Sequence, residues 1–176
     1  MQAARCIEPI HRDDRRRPGR PQVSTLVGVR SQRSVVDYGL ARRATLSALR
    51  GSGPTTREDV CDAHPYLLRA ARHHGVPTDR DCPVCGRRHL TTVSYVYGEE
   101  LGSLEGRVKT PRELEEMARE HGEFRVYVVE VCAGEHALPG CGWNHLVQSF
   151  VLGDGASRRR RGAASPGAER RQSARR

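Results

Sequence analysis

Apolar positions along this chain follow two periods, and the change comes just past its middle. Val36, Leu40, Ala44 and Ala48 recur four apart, which marks one face of a helix. Gly51-Ser52-Gly53-Pro54 ends it. Thr56 and Asp59 have N-cap spacing, so a short helical turn starts there. His64-Pro65 restarts the helix, with His64 as cap and Pro65 at the first position. Leu67, Leu68 and Ala71 give it an apolar side, and Gly75 is its stop. From Leu90 the period becomes two: Leu90 to Tyr97 reads as a strand with Val93, Tyr95 and Tyr97 on one face. Residues 98–109 form a Gly-rich loop. Thr110-Pro111-Arg112-Glu113 is a strong helix start, Leu114, Met117 and Ala118 form the apolar stripe, and Gly122 ends it. Phe124 to Val131 and Trp143 to Leu152 read as two further strands, and Phe124, Val126 and Val128 share a side.

Composition narrows the picture. At 176 residues the chain suits one domain, and 36% of it is apolar with glycine left out. The net charge of +9 is unevenly spread. Residues 1–34 hold eight arginines against three acids, and residues 154–176 hold eight against two, so the stretch between them is slightly acidic. The expected organisation is a disordered basic N-terminal extension over 1–33, a folded domain over 34–153 and a disordered Arg-rich tail over 154–176. Such flanks bind phosphates through counterion release, although a solvated extension is the plainer reading. No apolar run approaches the roughly 18 residues of a membrane helix, and no signal-peptide stretch opens the chain. No membrane partner is expected, and a cytoplasmic location is.

The cysteines carry the chemistry. Cys82-Pro83-Val84-Cys85-Gly86 is a C-x2-C pair whose tight turn points both sulfurs at one centre, and Gly86 lets backbone N–H groups approach them. Cys132 and Cys141 form a second pair after 46 residues, with strands before and after. Four thiolates around one Zn2+ make a closed structural site. Eight residues separate the second pair instead of the usual two to four, so Ala133 to Gly140 must bulge out as a loop, and His136 inside it is an alternative ligand to Cys141. A competing set joins Cys61 and His64 to the first pair, against which stands the plainer reading of a buried cysteine and a capping histidine. Cys6 lies in the N-terminal flank. The expected fold is therefore α+β: N-terminal helices on a small antiparallel three-stranded zinc-ribbon-like sheet, with helix 111–121 inserted between strands.

Several of these runs resemble an uncharacterised actinobacterial family, a domain of unknown function. They are Val35-Val36-Asp37-Tyr38, Val60-Cys61-Asp62-Ala63-His64-Pro65, Cys82-Pro83-Val84-Cys85, Tyr95-Val96-Tyr97-Gly98 and Cys141-Gly142-Trp143-Asn144-His145-Leu146. The resemblance spans about residues 33–153 and excludes both flanks. It implies a cytoplasmic actinobacterial protein with a zinc-ribbon-like part, and brings no activity with it. The family's second knuckle resembles C-x2-C-G-W, from which this chain departs by the insertion between Cys132 and Cys141.

Other chemistry fits less well. A glutaredoxin-type dithiol needs a strand before its motif and a helix opening at it, whereas here a helix precedes and Gly86-Arg87-Arg88 leads into a strand. The P-C-x-x-C element of a nucleobase deaminase, a P-loop and a dinucleotide fingerprint are all missing. No catalytic residue or small-molecule substrate is indicated. Arg87-Arg88-His89 is the one basic cluster inside the domain, at the tip of the first knuckle, and Arg87 and Arg88 are the candidate nucleic-acid contacts. Tyr95, Tyr97 and Tyr127 could stack on bases, half-buried sheet residues being the more ordinary account. His145 is a candidate ligand or base beside Trp143, or a strand residue hydrogen-bonded near the metal. The expectation is a non-enzymatic zinc protein, an adaptor or regulator contacting nucleic acid or transcription machinery. The alternatives are a protein-interaction module with purely structural zinc and a thiol redox sensor.

Overall fold

A computed structural model describes residues 32–135 and 137–153. The flanks before and after these residues, with Cys6, and the loop residue His136 lie outside the described residues, and so does what was expected of them. In chain order the elements are β1 (Arg33–Asp37), α1 (Gly39–Arg50), α2 (Arg57–Val60), α3 (Pro65–His74), β2 (Val76–Asp81), β3 (His89–Tyr97), α4 (Pro111–Glu120), β4 (Phe124–Val131) and β5 (Asn144–Leu152). A single 3-10 turn, Gly102–Leu104, lies in the loop before α4.

The chain is α+β, but the expected three-stranded sheet is corrected to five antiparallel strands in the order β1-β5-β4-β3-β2. The three central strands are those marked by period-two alternation. The two additional ones are the sheet edges, and neither has a core-facing apolar row. Every residue of β1 is exposed, and β2, Val-Pro-Thr-Asp-Arg-Asp, carries a proline and three charges. Edge strands contribute ladder hydrogen bonds more than burial, so the hydrophobic signal that reveals a central strand is absent from them. Val36, expected on the first helix, lies in β1 instead, and the helix begins only at Gly39.

Helix boundaries follow their caps. Thr56 and Asp59 exchange side-chain and backbone hydrogen bonds at the start of α2, and Thr110 and Glu113 do the same for α4. Pro65 and Pro111 occupy first-turn positions, where a missing N–H costs nothing. In α4 the last turn ends on His121 as C-cap, one residue before the expected Gly122.

Helices pack on both faces of the sheet. On one side Leu114 and Met117 of α4 pack against Val96, Val126, Phe150 and Leu152. Further along this side Leu46 of α1 and Val60 of α2 meet Leu90, Trp143 and the cysteines. On the other side Leu67, Leu68 and Ala71 of α3 cover Val93 and Val131. The turns β2–β3 and β4–β5 open at the same end of the sheet, and that is where the cysteines lie.

Candidate metal centre

The first knuckle is the turn between β2 and β3. Cys82 follows β2 directly; its N–H donates to the Arg88 carbonyl at 2.7 Å, and the Gly86 N–H returns to the Cys82 carbonyl at 2.9 Å. Gly86 takes φ +60°, a conformation open to glycine at no steric cost, and this closes the turn beneath the sulfurs.

The second knuckle is the turn between β4 and β5, and here the described residues between Cys132 and Cys141 form a small hairpin of their own. Gly134 bridges Pro139, and the Gly140 N–H donates to the Ala133 carbonyl at 3.1 Å. Beneath this hairpin the Cys132 N–H donates to the Trp143 carbonyl at 2.8 Å and the Gly142 N–H to the Cys132 carbonyl at 3.1 Å. The insertion thus leaves the ladder intact at its base and brings Cys132 and Cys141 side by side. Gly140 permits this closeness, since a Cβ there would fall 2.0 Å from the Cys132 carbonyl oxygen.

The sulfurs of Cys82, Cys85, Cys132 and Cys141 all lie within 4.8 Å of one another, and the group could hold a metal ion. Cys82 Sγ is 3.6 Å from Cys141 Sγ, and Cys85 Sγ is 3.8 Å from Cys132 Sγ. Backbone N–H groups point at the sulfurs: Cys141 N–H donates to Cys132 Sγ at 3.4 Å and Trp143 N–H to Cys141 Sγ at 3.5 Å. Cys82 and Cys132 are buried, Cys85 and Cys141 partly so. A hydrogen bond from Cys132, helped by the N–H groups of Cys85 and Val84, holds the Cys82 thiol far below the usual range, at about 5. The same bond pushes Cys132 up, and burial pushes Cys141 up to about 12. Among protein groups alone, the Cys82–Cys132 pair thus favours one thiolate over two. A bound cation would change that, because a coordinating thiol is deprotonated outright.

The other candidate residues fall around this group. Cys61 lies just outside it, with its Sγ 3.6 Å from Cys141 Sγ. The backbone holds it there, the Ala63 N–H donating to the Gly142 carbonyl at 3.0 Å. Arg57 of α2 stands beside both sulfurs, which hold its guanidinium protonated. His64 caps α3, its Nδ1 accepting the Tyr66 N–H at 3.3 Å. His145 stacks on Trp143 with ring centroids 5.8 Å apart, and Nδ1 lies 2.6 Å from the Leu146 carbonyl oxygen. Arg87 is exposed at the first knuckle, while Arg88 is half-buried.

One residue escaped the sequence reading. Glu130 is fully buried, and its carboxylate accepts Arg42 Nε at 2.5 Å, Arg80 Nη2 at 2.9 Å and the indole N–H of Trp143 at 3.0 Å. A signal was present. Glu130 shares the inward parity of Phe124, Val126 and Val128, and an acid at such a position requires cationic or N–H partners. The carboxylate fixes the indole that covers the knuckle, tying the cysteine end to α1 and β2.

Fold and site together define a small α+β protein with a four-cysteine cluster at one end of an antiparallel sheet. The chain belongs to the family of unknown function DUF5318, whose model matches residues 29–165. It is 49% identical over 118 residues to the uncharacterized protein Rv0049 of Mycobacterium tuberculosis, covering 67% of this chain and 81% of that one. The match to the uncharacterized protein Mb0050 of Mycobacterium bovis has the same identity and coverage. No solved structure matches the chain significantly. No helix among the described residues is long and apolar enough to cross a membrane.

Proposed function

We propose that Cys82, Cys85, Cys132 and Cys141 hold one Zn2+ in a closed structural site. On this reading the chain is a non-enzymatic adaptor or regulator that contacts nucleic acid or transcription machinery. The spacing of the sulfurs carries the metal reading. Zn–S bonds of about 2.3 Å in a tetrahedron set sulfur–sulfur edges of about 3.8 Å; two of the six edges are 3.6 and 3.8 Å, and all lie within 4.8 Å. Four thiolates complete the coordination, leaving no position for water, which is the hallmark of a structural site. The N–H groups aimed at the sulfurs stabilise thiolate charge, and Arg57 offsets part of what remains. For the partner, the support is Arg87 at the knuckle tip and the fifteen arginines of residues 1–31 and 154–176.

The test is metal analysis of the full chain beside the Cys85→Ser and Cys141→Ser variants. One zinc per chain, lost in both variants, is expected. Zinc retained by the Cys141 variant would move the fourth ligand to His136 or Cys61, and iron in place of zinc would contradict the assignment. Salt-sensitive binding of an oligonucleotide supports the nucleic-acid partner. A single stoichiometric protein in a pull-down, with no nucleic acid, would favour the interaction-module reading.

The position of Cys61 favours a second reading, a thiol redox sensor. At 3.6 Å its sulfur can close on Cys141. Peroxide would take one electron and one proton from each thiol, leaving a disulfide and two waters, and Cys141 would be lost to the metal. Peroxide-driven zinc release that Cys61→Ser abolishes supports this; equal release from the variant and the natural chain ends it.

A further inference from the structure

We propose that the face of the sheet opposite α4 is a platform for single-stranded nucleic acid, with Tyr97 and Tyr127 stacking on bases. This deepens the nucleic-acid half of the proposed function and rests on it, but places the contact away from the metal knuckles. Cross-strand partners share a face, so the register defines the surface. One row runs Tyr97, Arg125, Val151, Arg33, and the next runs Tyr95, Tyr127, Ser149, Val36. In these rows Ser149 and Val151 are buried, and α3 covers the face towards the cysteine end at Val93 and Val131, with Tyr95 packed at its margin. Beyond it Tyr95, Tyr97, Tyr127 and Val129 line an open groove of about 460 Å³. Tyr97 is 43% exposed, and its ring meets Tyr127 edge-on with centroids 5.5 Å apart.

An exposed aromatic pair on a sheet face suits unpaired bases, whose π-faces are free, and does not suit a duplex, whose bases are already stacked. The described domain is slightly acidic, but four of its acids, Glu113, Glu115, Glu116 and Glu120, are carried by α4 on the opposite face. Arg125 lies in the outer row of the tyrosine face. Arg33 pairs with Val151, and its guanidinium hydrogen-bonds the Gly153 carbonyl and the Glu123 carboxylate, so the described residues begin and end at one corner of this face. The platform supplies base stacking, and Arg125 in its outer row a phosphate contact.

The test uses the full chain and fluorescence anisotropy with a labelled twelve-nucleotide oligo-uridine, an abasic strand of the same length and a duplex. The natural chain is expected to prefer the oligo-uridine to the abasic strand. Tyr97→Leu and Tyr127→Leu, which keep the apolar bulk, should each weaken that binding by about tenfold or more while duplex binding stays unchanged. If the tyrosine variants bind like the natural chain while Arg87→Ser with Arg88→Ser does not, the platform is wrong and the nucleic-acid partner survives. If the natural chain binds no oligonucleotide, both fall; a groove filled by a second copy in sedimentation would be one cause. Should a leucine variant misfold, photocrosslinking of the natural chain to a 5-bromouridine strand decides. Adducts at Tyr97 or Tyr127 support the platform, and adducts confined to the knuckles or flanks overturn it.

Discussion

The two ends of the sheet are built from different materials. At the α4 end Phe124, Val126, Phe150 and Leu152 meet Leu114 and Met117 in a core of apolar side chains alone. At the other end the buried set is Leu46, Val60, Leu90 and Trp143 with two cysteines, and three more cysteines pack around it. Glu130, with its two arginines, marks the change from one to the other. The first end needs nothing but burial, at about 25 cal/mol per Å² of apolar surface. The second gathers five cysteines among its apolar side chains, four of them placed where a metal could cross-link them. One sheet thus combines an ordinary hydrophobic core with a centre whose order is expected to depend on a bound ion.

Breaking the cysteine end should have the largest effect. Removing metal by chelation, or mutating Cys85→Ser, forfeits a binding free energy on the order of 10 kcal/mol apparent. The melting temperature should fall steeply in a thermal scan monitored by circular dichroism. Breaking the α4 end should cost less and leave the metal in place. Leu114→Ala opens a cavity worth about 3–4 kcal/mol in denaturant unfolding, with zinc stoichiometry unchanged. Glu130→Gln tests the boundary. It removes a buried charge from two arginines that can still reach water, so about 2–3 kcal/mol is expected, together with a change in the Trp143 fluorescence. Thr110→Ala should be mildest, about 1 kcal/mol for a lost cap. The Thr110 backbone N–H holds the Glu113 carboxyl below the usual carboxylate range. A depressed carboxyl stabilises the fold fully above its unfolded-state value and loses that contribution as pH falls through the folded one. The difference between the natural chain and Glu113→Gln should therefore shrink when urea titrations are moved from pH 7 to below about pH 4.

The sequence was legible where side chains were buried in a regular period. The central strands β3, β4 and β5 and the capped starts of α2, α3 and α4 could be read because burial and capping each demand particular residues at fixed spacing. The edge strands could not, since pairing one side of a backbone ladder asks almost nothing of its side chains. Val36 shows the cost: an apolar residue four before Leu40 fits a helical stripe, yet it pairs with Ser149 in β1. The approach of Cys82 and Cys85 to Cys132 and Cys141 was foreseeable from strand-linked pairs. The seating of Cys61 beside Cys141 was not, because it depends on a loop-to-loop hydrogen bond between Ala63 and Gly142.

Hydrogen exchange on the full chain, with zinc and after chelation, compares the two ends in one molecule. Chelation should collapse protection at the knuckle amides, Cys82, Cys132 and Gly142, while the amides of β4 and β5 beneath α4, such as Val126 and Phe150, keep most of theirs. Equal loss at both ends, or no loss at the knuckles, would contradict a sheet held by apolar burial at one end and by a metal at the other.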